Sequence, residues 1–196
     1  MEKELDRCGF NSVAGLDGTM YTRVTESNKF GADLHLPVHT NAYNGKVAGL
    51  RIMVSKKGGE AEKIAKAIMA TLGPITPGES DNITVNTGLY EVYATKGICV
   101  YIEVGFHDNK EEAKWIIEHT QDIAVAIAKG LCNHYGVKYV AEQQPAENPV
   151  AAKKIYRVFD AAGKQVGAYN VEANAFNEAK KQLQKGGSAK ITLSDK

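Results

Sequence analysis

The stretch that decides the fold is GICVYIEVGFHDN, residues 97–109. Its first ten residues carry one charged side chain, Glu103, and the three residues after them are polar. A run this apolar is typical of a strand that is covered on both faces, as in a parallel sheet. Asp108 or Asn109 can then act as the N-cap of a following helix. The stretch therefore predicts one strand-to-helix unit of an α/β fold.

Elements of these two kinds alternate along the first 139 residues. Short apolar or alternating runs predict strands at 10–15, 32–39, 47–55, 90–94 and 97–106. Helical spacing of apolar residues predicts helices at 1–8, 18–32, 58–73 and 110–135. Strands that alternate with helices indicate a three-layer α/β sandwich with a mostly parallel central sheet.

The helix at 58–73 has the clearest pattern, because its apolar residues share one face and Gly73 with Pro74 ends it. In the helix at 110–135, Glu111 and Glu112 suit the positive end of the helix dipole. The residues predicted to face the core are Ala61, Ile64, Ala65, Ile68, Leu72, Ala113, Ile116, Ile117, Ile123, Ile127 and Leu131. Residues 74–89, rich in Pro, Gly and small polar residues, predict a long surface loop.

The composition argues against several classes of protein. A net charge of +1 and a pI of about 7.7 give no electrostatic basis for binding nucleic acid. The three cysteines, Cys8, Cys99 and Cys132, form no CxxC pair, which argues against a disulfide framework and a cysteine zinc site. No apolar run reaches the roughly 18 residues of a membrane span. The charged start, MEKELDRCGF, lacks the apolar centre of a signal peptide, so we expect synthesis in the cytoplasm.

Two polar side chains stand near the ends of predicted strands. His39 closes one strand, and Glu103 lies inside an otherwise apolar one. A lone buried carboxylate is costly, so such a glutamate normally has a partner or a task. Ligands of open α/β sheets bind at the carboxyl ends of the strands, where a histidine and a glutamate suit a zinc-activated water with a general base. Each residue alone is as compatible with a structural role, so spacing leaves both interpretations open.

Two motifs resemble those of the zinc-dependent N-acetylmuramoyl-L-alanine amidases, which cleave bacterial cell walls. ADLHLPVHTNAYNG, residues 32–45, resembles the strand and H-x-N motif of that family. CVYIEVGFHDNKEEAKWI, residues 99–116, resembles its E-x-G-F-x-x-N-x-x-E segment. The histidine and the glutamate are 64 residues apart in the family's order, with the expected helix between them. The resemblance covers residues 1–139.

The resemblance implies a role for each matching residue. His39 would be a zinc ligand, and Asn41 would shape the site beside it. Glu103 would polarise a zinc-bound water that attacks the amide between the lactyl group of muramic acid and L-alanine. Glu91, with the loop at 74–89, is expected to line the groove for the peptide. His107 follows the strand of Glu103 and is a further candidate for substrate contact.

The same resemblance predicts an incomplete zinc site. The family holds zinc with three protein ligands, the first after an opening strand and the second a glutamate at the start of the first helix. This sequence begins near the end of that helix, where Glu2 and Glu4 are too close to its C-terminus to replace the glutamate. One histidine holds zinc weakly. Zinc is therefore expected in a complete enzyme, whereas in this chain we expect weak or absent zinc binding and little amidase activity.

Two other functions remain open from the sequence. A catalytically silent fragment that binds peptidoglycan is the main alternative to an amidase. Another zinc hydrolase of related α/β architecture, such as a carboxypeptidase, fits the two motifs less well. In both leading cases the expected partner is peptidoglycan, and the place of action is the bacterial cell wall, outside the cell.

The composition changes at residue 141, where AEQQPAENPVAAKK predicts a linker at 140–152. Residues 153–196 predict a small unit of two strands, a helix and a strand, a ββαβ order. Its segment at 165–191 resembles one half of a SPOR-type peptidoglycan-binding repeat, through Gln165, Gly167, Tyr169, Asn174 and Ala175. The unit is predicted either to bind the cell wall or to join copies of the chain into a homo-oligomer.

Overall fold

The computed structural model of the chain describes residues 1–15, 18–79, 81–142, 155–169, 172–185 and 188–194. The chain divides into two compact units, Met1–Glu142 and Gln143–Lys196. The predicted linker at 140–152 lies outside the described residues except at 140–142. No helix in the described ranges is long and apolar enough to cross a lipid bilayer.

The first unit contains six α-helices, a short 3₁₀ helix at Gly73–Ile75 and six strands among its described residues. The helices are α1 Glu2–Arg7, α2 Met20–Phe30, α3 Glu60–Leu72, α4 Tyr90–Ala94, α5 Lys110–Glu118 and α6 Thr120–Tyr135. The strands are β1 Leu34–His35, β2 Val38–Asn41, β3 Arg51–Val54, β4 Asn82–Val85, β5 Ile98–Cys99 and β6 Tyr101–Phe106.

The strands of this unit pair mostly in parallel. Four of them form a sheet in the order β2-β6-β3-β4, and β1 pairs with β5 beside it. The β1–β5, β2–β6 and β3–β4 pairs are parallel, whereas β3 and β6 are antiparallel. The predicted mixed α/β fold with a mostly parallel central sheet is therefore confirmed.

Alternation along the central strands separates a core face from a polar face. Ile52, Val54, Ile102 and Val104 belong to the main hydrophobic core, together with the inward residues of α3 and α6. The helix stripe predicted at 58–73 is confirmed, since Ala61, Ile64, Ala65, Ile68 and Leu72 are all buried. Side chains one residue out of step, Arg51 on β3 and Glu103 on β6, lie on the other face of their strands. The central strands thus use one face for packing and leave the other for chemistry.

Helices α3 and α6 approach closely at Gly130. A Cβ atom there would lie 2.7 Å from Ile68 Cα and 2.9 Å from the carbonyl oxygen of Ala67. The hydroxyl of Thr71 donates a hydrogen bond of 2.8 Å to the carbonyl oxygen of Ala126 across the same contact. The absence of a side chain at Gly130 therefore permits this helix pair.

Three sequence-based assignments were wrong. Residues 90–94 form helix α4 and not the predicted strand. Residues 10–15, also predicted as a strand, form neither a strand nor a helix. The predicted surface loop at 74–89 contains strand β4, which pairs in parallel with β3. Tertiary contacts override the strand preference of YEVYA, because a helix turns Glu91 and Val92 inward while Tyr93 stays 61% exposed.

Three predicted elements are each divided. The strand at 97–106 is interrupted at Val100, which separates β5 from β6. The helix at 110–135 breaks at His119 into α5 and α6, and Ile117, predicted to face the core, is 78% exposed. The strand at 32–39 is interrupted at Pro37, which has no N–H group for the ladder. After the interruption, Val38 is exposed and His39 is half-buried.

The second unit has the predicted ββαβ order. It consists of β7 Ile155–Phe159, β8 Gln165–Tyr169, α7 Glu172–Gln184 and β9 Lys190–Ser194. Its three strands form an antiparallel sheet in the order β8-β7-β9. Val158, Ala175 and Ala179 are its buried residues, so α7 packs on one face of a small sheet.

Candidate active site

His39 and Glu103 lie side by side on neighbouring strands. The parallel pairing of β2 with β6 places them directly opposite each other in register. Residues that are register partners project from the same face of a sheet, and here it is the face that bears Arg51. The structure therefore brings together the two residues on which the sequence analysis depends.

Asn41 completes this arrangement two residues beyond His39. Its Nδ2 donates a hydrogen bond to Oε2 of Glu103. The β2–β6 register shifts between His39 and Asn41, which turns the end of β2 and allows the amide to reach back to the carboxylate. The amide of the H-x-N motif thus orients the carboxylate of the second motif.

Glu103 is a half-buried carboxylate with an altered acidity. Burial raises the pKa of Glu103 above its ordinary value, and the nearby Arg51 guanidinium opposes that shift. A carboxylate whose pKa is raised holds a transferred proton more strongly, which suits a general base. Arg51 is on the neighbouring strand β3 and also lies over the ring of Phe106, with 5.4 Å between its guanidinium carbon and the ring centroid.

His39 is held between an aromatic ring and a second carboxylate. Its ring stacks on Tyr101 with the centroids 4.9 Å apart and the planes 16° from parallel. Its Nε2 lies 3.4 Å from Oε2 of Glu91, while the side chain remains 34% exposed. Burial and the carboxylate of Glu103 raise the pKa of Tyr101 to about 12, so its phenol stays protonated at neutral pH.

Glu91 occupies a different place from the one that the sequence suggested. The groove-lining role predicted for it would need an accessible side chain, whereas Glu91 is only 4% exposed. Its Oε1 accepts a hydrogen bond of 3.4 Å from Nε of Arg23 and lies 3.5 Å from Nε2 of His35. Burial lowers the pKa of His35, although Glu91 opposes the shift. Glu91 is therefore the centre of a buried polar cluster beneath His39, and a false strand assignment at 90–94 concealed it.

His107 borders the same end of β6 and is exposed. Its backbone N–H donates to the carbonyl oxygen of Asn41 at 2.8 Å. Its Nδ1 lies 2.9 Å from the hydroxyl oxygen of Thr40. His107 thus stands at the rim next to the Asn41–Glu103 pair, where substrate contact remains a prediction.

The described residues do not fit a catalytic zinc ion. Such an ion takes three protein ligands and keeps one open position. No group of three or more His, Cys, Asp or Glu side chains with metal-holding geometry occurs in the described part of the chain. The carboxylate of Glu91, which lies near His39, is already paired with Arg23, and the carboxylate of Glu103 is paired with Asn41. His39 therefore has no complete set of partners for zinc here.

Glu112, the last residue of the E-x-G-F-x-x-N-x-x-E segment, is a buried residue of this region that the sequence analysis placed only at the start of a helix. It is 1% exposed, and its two carboxylate oxygens each accept a backbone N–H, from Gly49 and from Phe106, both at 2.8 Å. The signal that could have revealed it is its position as the final glutamate of the E-x-G-F-x-x-N-x-x-E segment, three residues after the N-cap Asn109. This carboxylate joins the end of β6 to the segment before β3.

A family model described as N-acetylmuramoyl-L-alanine amidase matches residues 3–133. The chain belongs to that family. The match contains both strand-end motifs and every residue of the site described above. The second unit lies outside it.

One curated relative of this amidase family member is similar to it in sequence. A curated protein of Clostridium perfringens, described as an uncharacterized 38.4 kDa protein, is 31% identical over 129 residues, which is 64% of this chain and 37% of that protein. The chain thus spans little more than a third of that relative's length.

Two solved structures show the same architecture. The catalytic domain of the amidase CwlV from Bacillus (Paenibacillus) polymyxa is 18% identical with a TM-score of 0.55, covering 62% of this chain and 68% of that one. The catalytic domain of the CD27L endolysin, which targets Clostridia difficile, is 26% identical with a TM-score of 0.52, covering 58% and 62%.

Proposed function

We propose that this chain acts on peptidoglycan and cleaves the amide between N-acetylmuramic acid and L-alanine. The observation that carries the proposal is the register of β2 with β6, which places His39 opposite Glu103 and lets Asn41 bind the Glu103 carboxylate. Membership in the amidase family supplies the bond and the substrate. The place of action that follows is the bacterial cell wall.

Glu103 is the catalytic residue in this proposal. Its carboxylate accepts a proton from the water that attacks the amide carbonyl and later returns it to the leaving amine. Asn41 holds the carboxylate in one orientation for both transfers, because its side-chain amide donates to one of the two oxygens. His107 stands at the same rim, where we assign it a contact with the substrate's polar groups.

The family is generally zinc-dependent, and zinc binding is a further part of this proposal. We expect His39 to be a zinc ligand and to hold the ion only weakly with the partners described above. In isothermal titration calorimetry with zinc at neutral pH, this chain should show no sub-micromolar site. A sub-micromolar site that disappears in His39→Ala, but not in the control His119→Ala, would show that further ligands join His39.

The main alternative is a silent binding fragment. Binding and cleavage are separated by incubating the chain with purified peptidoglycan and then measuring sedimented protein, free amino groups and reducing ends. An amidase releases amino groups without new reducing ends. Co-sedimentation without release of amino groups supports the silent fragment. If the protein neither sediments with peptidoglycan nor releases amino groups, both proposals are excluded.

We assign the second unit to attachment, either to the cell wall or to another copy of the chain. The likeness to half of a SPOR repeat supports wall binding, since Gln165, Gly167 and Tyr169 all lie on β8. A complete SPOR repeat needs a second half of the same kind. A second copy of this unit could supply that half, and the two copies would then form a homo-oligomer.

A further inference from the structure

We propose that Asp108 is a positioning residue that fixes loop 42–49 and thereby holds Asn41 against Glu103. The inference rests on the proposed amidase function. Loop 42–49 follows Asn41 directly, so its conformation decides how the end of β2 meets Glu103. Asp108 itself lies beyond β6 and does not contact Glu103 in the described hydrogen-bond network.

The contacts of Asp108 with the loop are specific. A single oxygen, Oδ2, accepts the backbone N–H groups of Tyr43 and Gly45, each at 2.9 Å. Gly45 has φ +72°, the left-handed conformation that favours glycine, and this turn brings both N–H groups to one acceptor. The hydrogen bond from Tyr43 is the main reason that the pKa of Asp108 lies below its ordinary value, although desolvation opposes the shift.

Two further side chains from the same turn continue the attachment along the loop. Nδ2 of Asn109 donates to the carbonyl oxygen of Val47 at 3.3 Å, and Oε1 of Glu112 accepts from Gly49 at 2.8 Å. The β6–α5 turn thus holds the loop at residues 43, 45, 47 and 49. Asp108 makes the two contacts nearest to Asn41, which distinguishes it from the others.

The backbone of Asn41 is attached to the same β6–α5 turn. The carbonyl oxygen of Asn41 accepts the N–H of His107, the residue before Asp108, at 2.8 Å. Its side-chain oxygen accepts the N–H of Ala42 at 2.7 Å, leaving Nδ2 free to turn toward Glu103. Releasing Tyr43 and Gly45 would leave this bond to His107 as the backbone attachment of Asn41 to the turn, and we expect the amide that orients the catalytic carboxylate to loosen.

The test compares Asp108→Ala with Asp108→Asn and with a matched control. Asp160 in the second unit makes the same kind of contact, its Oδ1 accepting the N–H groups of Ala162 and Lys164 at 3.0 and 2.9 Å. Asp160→Ala therefore removes an equivalent turn carboxylate remote in sequence from the site. Amide hydrogen exchange of the loop, kcat/KM on a soluble muropeptide and Tm are measured for the full chain.

Asp108→Ala should accelerate exchange at Tyr43 and Gly45 by about 10-fold or more and lower kcat/KM by about 10- to 100-fold, with Tm close to wild type. In Asp108→Asn, both the exchange rate and kcat/KM should return part of the way to the wild-type values, because the amide oxygen can still accept a hydrogen bond. Asp160→Ala should change neither the loop exchange nor kcat/KM. Unchanged exchange in Asp108→Ala would overturn the proposal, as would faster exchange with normal kcat/KM. A wild-type chain without turnover would refute the proposed function, and the exchange data would still decide whether Asp108 fixes the loop.

Discussion

A Glu103→Gln variant is expected to lose peptidoglycan clearing, with a rate about 10²- to 10⁴-fold below that of the parent chain. The amide has the size and shape of the carboxylate but cannot accept the proton of an attacking water. Asn41 can still donate to the remaining side-chain oxygen, so the arrangement around residue 103 is retained. Turbidity loss of a suspension of purified peptidoglycan measures the rate, and circular dichroism with a thermal melt measures the fold.

The matched control for this variant is Glu111→Gln. Glu111 is exposed in the first turn of α5 and contributes its side chain to none of the contacts described at the site. It should retain full clearing. Full activity in Glu103→Gln would remove Glu103 from the mechanism, and equal loss in both variants would point to an effect of charge and not of proton transfer.

Glu112→Ala is expected to have the largest effect on stability. Removing the carboxylate leaves the buried N–H groups of Gly49 and Phe106 without their acceptor. Each unsatisfied buried group costs about 1–3 kcal/mol, so the free energy of unfolding should fall by about 2–6 kcal/mol. Urea denaturation followed by circular dichroism measures the change.

Two further variants make this result specific. Glu112→Gln keeps one acceptor oxygen and should lose roughly half as much stability as Glu112→Ala. Glu111→Ala, one residue earlier and exposed, should stay within about 0.5 kcal/mol of the parent chain. If Glu112→Ala were no less stable than Glu111→Ala, the carboxylate would not hold β6 to the segment before β3.

The parts of the fold that could be predicted from sequence are those where one signal dominates. The apolar run at 97–106 predicted strand structure, although Tyr101 and Glu103 on one face of β6 are only half-buried. The helix at 58–73 has a regular stripe with clear end signals. The strand-end position of His39 and the single charge at Glu103 suggested that the two meet, and the resemblance of their two motifs to the amidase family supported it. In these cases local pattern and tertiary structure agree.

Where the prediction failed, tertiary partners decided the outcome. The helix at 90–94 depends on Glu91 reaching Arg23 and His35, and those residues are 68 and 56 positions away in sequence. The predicted helix at 110–135 is two helices, and Ile117 near the end of the first is exposed, as is Val38 after the interruption at Pro37. A window of neighbouring residues contains no information on such distant contacts.

The roles of Asp108 and Glu112 show the same limit at the site. Both were assigned to the start of a helix, and Asn109 does cap it, accepting the N–H groups of Glu111 and Glu112. Their carboxylates instead bind a loop more than 60 residues earlier in the chain. Capping chemistry was predictable, whereas the identity of the bound loop was not.

The most direct test of the proposed reaction is the chemical identity of what the chain releases from purified peptidoglycan. Amino-terminal labelling and mass spectrometry of the soluble products, with and without added zinc, identify the bond that is cut. We expect peptides with a new N-terminal L-alanine, glycan strands that keep their lactyl groups, and no such products from Glu103→Gln. Products with new reducing sugar ends, or with cleavage inside the peptide, would contradict the assignment.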